Sequence, residues 1–341
     1  MKVLYITPAG AGGTSPQIEM ANFMRKRFDK LDLFVLGKDP LPSVDGGWDV
    51  VFAAMEAAVP VAHEIAKQLE IPLYCHWEWL PPFRLYGYPG GDDPRNWGYR
   101  DEHVDEHYQN QGYYQKYKTI IECAIDSAVS SCAGNLCKDI AKEFSENSLD
   151  NCFLKYPASP IPLNKKRSNE KMDYFTTVSR LVPNKRVAHL AEAVKKANLD
   201  TTWVIVGEGP EKEIIQKIIA ECRTKVKFIP NTNGEKKFFF LSKAKFQISA
   251  WHGLPQLEAA LVGTPTINLH IPYIEELYGN SLTWAHGVDA LAEKMKVFNE
   301  DQKLCSEQAD RLYTEASEDK ININTLEQGA DIIEHTLRKI V

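Results

Sequence analysis

Two cations, Arg180 and Lys185, share the stretch Ser179-Arg180-Leu181-Val182-Pro183-Asn184-Lys185-Arg186. They follow Tyr174 to Val178, an apolar run that reads as a buried strand. After them comes a helix with Val187, Leu190, Ala191 and Val194 on one face. Cations at the carboxyl mouth of a parallel strand need an anion or a pair of acids, and no acid separates these two. Arginine grips phosphate oxygens as a fork and lysine acts as a point charge, so the pair suits a diphosphate. The other reading is two solvated loop cations.

A second concentration is Ser249 to Pro265, SAWHGLPQLEAALVGTP. A strand, Lys245 to Ile248, runs into a loop holding Gly253 and Pro255, and a helix then carries Glu258 one turn in. Gly263-Thr264-Pro265 stops that helix before a new strand, Thr266 to Leu269. Backbone amides at a helix start face an anion well, and a carboxylate accepts hydrogen bonds from a neutral diol. Phosphates beside a diol describe a nucleotide. An ordinary strand, loop and helix with a solvated glutamate is the alternative.

Three further stretches carry chemistry. Pro8-Ala9-Gly10-Ala11-Gly12-Gly13 lies between a strand, Val3 to Ile6, and a helix opened by Thr14-Ser15-Pro16. Strand, glycine turn and helix together suggest a phosphate-binding turn, one that stops short of the full dinucleotide fingerprint. His76 closes a strand, Ile71 to Cys75, where a lone histidine is either structural or catalytic. Trp77 to Tyr117 is crowded with aromatics, Trp77, Trp79 and Trp97 among them, between Pro81-Pro82, Gly90-Gly91 and several acids. No period of two or 3.6 holds through Tyr99, so it reads as a long loop or lid. Aromatic faces suit sugar rings, or they pack together to hold the loop down.

The elements that must position these groups alternate strand and helix twice. The first half adds strands at Leu31 to Leu36, Asp49 to Ala53, Ala128 to Ser131 and Phe153 to Tyr156. Its first helix shows Ile18, Ala21, Met24, Phe28 and Leu31 at helical spacing, and others cover Val61 to Leu69, Thr119 to Ala128 and a stretch ending at Phe144. Pro157 to Pro162 and the charged run to Lys171 form a linker. The second half adds Trp203 to Val206 and Val226 to Ile229, then a helix-and-loop region around Trp284 and His286. Leu326, Ala330, Ile333, Leu337 and Ile340 form a last helix that Asn324 can cap. The expectation is two Rossmann-like α/β domains, 1–160 and 170–321, with a terminal helix at 322–341.

A chain of 341 residues exceeds what one core usually fills. Its 44% hydrophobic and 25% charged content is globular, and a net charge of −6 argues against a general nucleic-acid binder. Seven cysteines without a C-x-x-C pair suggest neither a disulfide framework nor a zinc site. Met1 to Ile6 is too short an apolar run for a signal peptide, and nothing approaches a membrane span. The expectation is a soluble, cytoplasmic protein, with peripheral membrane contact left open.

These stretches together resemble the retaining GT-B glycosyltransferases of family 4, the glycosyl transferases group 1. That family's motif runs roughly E-G-F-G-x-P-x-x-E-A followed by G-T-P, and Gly253, Pro255, Glu258, Ala259 and Gly263-Thr264-Pro265 fit it. Ala250 stands where its first glutamate belongs, with Trp251 and His252 next. S-R-L-V-P-N-K fits the element G-R-L-x-x-x-K, with Ser179 for the glycine, and Gly207-Glu208-Gly209-Pro210 fits G-x-G-P. The match is densest from Tyr174 to Leu269.

The resemblance implies two domains facing across a cleft, a C-terminal helix returning to the first, and retaining transfer from a UDP-, GDP- or ADP-linked sugar to a carbohydrate acceptor. It implies no metal ion or other cofactor, and no D-x-D motif is present; the nearest paired acids are Asp92-Asp93. It assigns His76, Arg180 and Lys185 to catalysis. Gly12 and Gly13 then line the cleft, Gly207 and Pro230 border the nucleotide, and Glu258 binds the ribose. His252 and the amides of Gly253 and Leu254 take sugar hydroxyls that Ala250 cannot, and Trp77, Trp79 and Trp97 stand on the acceptor side. A nucleotide- or carbohydrate-binding pseudoenzyme is the rival that Ala250 invites. Another GT-B activity, an epimerase or phosphorylase, is a third, although nothing marks a pyridoxal lysine.

Overall fold

The computed structural model describes the chain apart from residues 10–15, 41, 43, 78–112, 136–137, 139–149, 156–167, 169, 183–184, 231–233, 251–253, 271 and 319–323. The described residues form two compact units. The first holds those of 1–162 together with Asn324–Val341, and the second those of 163–323.

In the first unit, β1 (Lys2–Pro8), β2 (Lys30–Leu36), β3 (Val50–Ala54), β4 (Leu73–Trp77), β5 (Val129–Cys132) and β6 (Cys152–Leu154) form one parallel sheet. Their order is β2-β1-β3-β4-β5-β6. A parallel sheet is covered on both faces, which is why β3 is buried at every residue and reads as an unbroken apolar run. The flanking helices are α1 (Pro16–Met24), α2 (Val59–Leu69) and α3 (Tyr113–Asp126).

Two expectations change here. α1 stops at Met24, where Arg25–Arg27 tightens into a 3₁₀ turn, and Leu31 lies in β2. Phe28 and Leu31 still bury in the same core as Met20 and Met24, so their spacing imitated a longer helix. α3 begins at Tyr113, so the end of the aromatic stretch is helix rather than loop.

The second unit repeats the plan with β7 (Tyr174–Val178), β8 (Thr202–Val206), β9 (Lys225–Ile229), β10 (Gln247–Ser249), β11 (Thr266–Leu269) and β12 (Thr283–Ala285). All pair in parallel, in the order β12-β11-β10-β7-β8-β9. Its helices are α4 (Val187–Ala197), α5 (Lys212–Ile219), α6 (Gly234–Lys243), α7 (Leu254–Leu261), α8 (Pro272–Tyr278), α9 (Val288–Glu300) and α10 (Gln302–Ser317). Phe175 anchors the core, its ring stacked 5.2 Å from Phe246 and 6.1 Å from Trp203. β12 corrects the helix-and-loop reading around Trp284: three residues at a sheet edge are too few to show a period.

The last helix, α11 (Leu326–Ile340), packs in the first unit, where Ala330, Ile333 and Leu337 share the core of Val3, Tyr5 and Met20. Thr325 caps it, not Asn324. The Thr325 hydroxyl accepts from the Gln328 amide at 3.2 Å, and the Gln328 side chain accepts from the Thr325 amide at 2.7 Å. Among the described residues no helix is long and apolar enough to cross a membrane. The two parallel α/β halves are the Rossmann-like pair that the alternation predicted.

Candidate active site

β7, β8 and β9 run outward in one direction, and the chain then returns to place β10 on the other side of β7. Such a reversal opens a crevice beyond the carboxyl ends of the strands, the usual ligand position in a parallel sheet. A cavity of about 150 Å³ lies there. Thr177 and Val178 of β7 form its floor edge, and Ser249 and Ala250 stand at the end of β10. Arg180 and Lys185 line it, as do Pro255 and Gln256 from the first turn of α7. The two cations and the start of the Glu258 helix therefore meet around one space.

The loop that carries Arg180 is held by backbone contacts to the turn after β8. The Ser179 amide donates to the Val206 carbonyl at 3.1 Å, the Leu181 amide to Glu208 at 2.8 Å, and the Glu211 amide to Leu181 at 3.1 Å. Gly207 takes φ +150°, and a Cβ there would lie 1.8 Å from the Ser179 carbonyl oxygen. Gly209, at φ +155°, would meet the Leu181 oxygen at 2.2 Å. Both glycines thus let two main chains touch. Gly207 packs against the Arg180 loop and is not among the residues lining the cavity. Beyond Lys185 the chain passes through Arg186 in the left-handed region, φ +54°, before α4 begins.

Arg180 is exposed, and among the described residues its side chain has no hydrogen-bond or ion-pair partner. Lys185 is half-buried. Behind them on α4, burial and then the charge of Arg186 push the buried His189 down to about 3, so it stays neutral at ordinary pH. Ala250 is 2% exposed and presents only a methyl group to the cavity. Gln256 is also buried, its amide nitrogen donating to the Ser249 hydroxyl at 2.8 Å and to Asn268 at 3.0 Å. That bridge ties the first turn of α7 to the ends of β10 and β11. No feature of its sequence position signals the role.

Glu258 lies deeper than a solvated helix glutamate. It is 1% exposed, and its Oε1 sits 2.5 Å from Lys237 Nζ on α6. Sequence reasoning missed Lys237, because in Gly-Glu-Lys-Lys-Phe nothing separates it from Lys236, an ordinary surface cation. Pro230 is exposed at the exit of β9 and does not line the cavity. Leu254 is the first residue of α7, while Gly12, Gly13, His252, Gly253, Trp79 and Trp97 fall outside the described residues.

His76 belongs to the first unit and is fully buried within β4, one residue before its end. Its Nδ1 lies 2.8 Å from the Ser131 hydroxyl, which lies 2.7 Å from the Tyr74 hydroxyl. Burial pushes that phenol far above its usual value, so Tyr74 keeps its proton. Trp77 is the last residue of β4 and fully buried, a correction to its reading as the start of a loop. Among the described residues no group of three or more His, Cys, Asp and Glu side chains is arranged to hold a metal ion.

This geometry is that of a parallel α/β unit with a cavity at the reversal point of its sheet, and known proteins share the fold. Residues 162–318, the greater part of the second unit, match the family model described as glycosyl transferases group 1. The structure of Anabaena Alr3699/HepE in complex with UDP-glucose is similar, with 16% identity, a TM-score of 0.74, and coverage of 99% of this chain and 100% of that one. So is sucrose-phosphate synthase from Thermosynechococcus elongatus, with 12% identity, a TM-score of 0.73, and coverage of 99% and 98%. A glycosyltransferase from Rickettsia africae matches at 14% identity and a TM-score of 0.68, over 99% and 98% of the two chains. At these identities the likeness establishes the fold. No curated protein sequence matches the chain.

Proposed function

We propose that this protein is a retaining glycosyltransferase of family 4 that transfers a sugar from a UDP-linked donor to a carbohydrate acceptor without a metal ion. The observation that carries the proposal is the meeting of Arg180, Lys185 and the start of α7 around one cavity at the reversal point of the sheet. When the bond between the sugar's anomeric carbon and the phosphate oxygen breaks, its electron pair leaves with the diphosphate. Two fixed cations and helix-start amides stabilise that charge where another enzyme would use a divalent ion. Glu258 reads the ribose diol. UDP is favoured because the similar Anabaena protein is seen with UDP and with UDP-glucose.

Thermal shift with UDP, GDP and ADP in parallel tests the donor site. UDP at 100 times its dissociation constant should stabilise the fold by about 2.7 kcal/mol. If none of the three shifts the melting temperature and no UDP-sugar is consumed, the proposal falls. Transfer should also survive excess EDTA. Loss of activity that Mg²⁺ or Mn²⁺ restores would mean that an ion shares the diphosphate's charge.

Ala250 supports a second reading, a nucleotide-binding protein without turnover, since the cavity wall offers a methyl group where a sugar-binding acid would stand. UDP binding combined with neither transfer nor hydrolysis across a broad panel of UDP-sugars would favour it.

A further inference from the structure

We propose that Lys237 is a positioning residue for nucleotide recognition, holding Glu258 ionised and aimed so that its carboxylate can accept the donor's ribose hydroxyls. The inference rests on the donor-site reading above and extends it to a residue on a different helix. A carboxylate that is 1% exposed does not stay charged in apolar surroundings unless a cation or several donors compensate it. Lys237 supplies the cation at 2.5 Å, and its own side chain is only 20% exposed. Once charged, Glu258 is an acceptor at both oxygens, which is what a diol requires; a protonated acid would offer a donor instead. Tyr278, fully buried at the end of α8, also faces this carboxylate. Burial first, and then the Glu258 charge, keep its phenol protonated.

Packing fixes the pair in place. Leu241, one turn after Lys237, and Val262, one turn after Glu258, bury together with Ala259 in a single apolar cluster. α6 and α7 are thereby locked a turn away from the ion pair. Val178 packs on the same cluster and also lines the cavity beside Arg180. The ion pair and the phosphate-binding cations thus share one support, so the spacing between diphosphate and ribose contacts is set by rigid elements.

Calorimetry with UDP and 2′,3′-dideoxy-UDP separates this role from a structural one. Wild type should bind UDP at least roughly 10-fold more tightly than the dideoxy compound, the scale of a hydrogen bond to a charged group. Lys237→Met should bring UDP down to the dideoxy level while leaving dideoxy-UDP affinity unchanged, and Lys237→Arg should restore most of the difference. Lys237→Gln repeats the test should the Met variant not fold. Equal weakening of both nucleotides, or full discrimination in the Met and Gln variants, overturns the proposal. A wild type that binds both nucleotides equally removes the ribose role of Glu258 and of Lys237 together, leaving the cations as the donor site. One that binds neither removes the donor site itself.

Discussion

Replacing both Arg180 and Lys185 by alanine should abolish measurable UDP binding in the folded protein. Each cation offers charge-assisted hydrogen bonds to a phosphate, worth roughly 1.5 to 3 kcal/mol. The two act on one ligand, so their losses will not simply add. Even about 3 kcal/mol in total is more than 100-fold in affinity. For Arg180→Ala alone the cost to folding is small, because Arg180 is exposed and its side chain has no partner among the described residues. Surface changes of this kind usually stay within about 0.5 kcal/mol. Arg180→Lys should recover only part of the loss, since an ammonium keeps the charge and gives up the fork. Calorimetry on the folded variants decides the matter: a double variant that binds UDP like wild type would place the donor elsewhere.

Arg180 and Lys185 could be picked out as a candidate clamp by two rules that need no tertiary information. Tyr174–Val178 is a buried parallel strand, which shows as an unbroken apolar run, and ligand groups follow the carboxyl ends of such strands. β7 and β11 fall on the residues expected, and β8 and β9 within one residue, for the same reason. Local signals failed where tertiary packing decides. β12 is too short to carry a period, and Leu31 keeps helical spacing with Met24 although it lies in a strand. Trp77 looked like the first aromatic of a loop, yet β4 runs through it, since a buried strand end and an aromatic loop read alike.

The same limit applies to the site. Glu258 could be picked out by its position in a helix, but its cation could not, because Lys237 reaches it from another helix. Gly207 shows a subtler ambiguity. A glycine that lets a ligand approach the backbone and one that lets a second backbone approach it make the same demand, the absence of a Cβ. Only coordinates reveal that the Ser179 carbonyl is what approaches.

That contact makes Gly207→Ala the substitution expected to do most damage to the second unit. The new Cβ would sit 1.8 Å from the Ser179 carbonyl oxygen, at a φ of +150° that L residues rarely adopt. Neither party is a flexible side chain, so the turn after β8 or the loop bearing Arg180 must move. Movement breaks the hydrogen bonds from Ser179 to Val206 and from Leu181 to Glu208, which fix that loop. We expect a loss of about 3 kcal/mol or more, combining strain with lost backbone bonds. For a domain of this size that corresponds to a fall of roughly 6 to 12 °C in melting temperature. Gly37→Ala is the matched control, with φ +78° and nothing within 4 Å of the added carbon. It should cost only the conformational penalty, about 1 kcal/mol. In the fraction of Gly207→Ala that remains folded, UDP should bind more weakly than in the control, because Arg180 no longer holds its place at the cavity. Equal melting temperatures and equal UDP affinities in the two variants would show that the turn after β8 does not support the clamp.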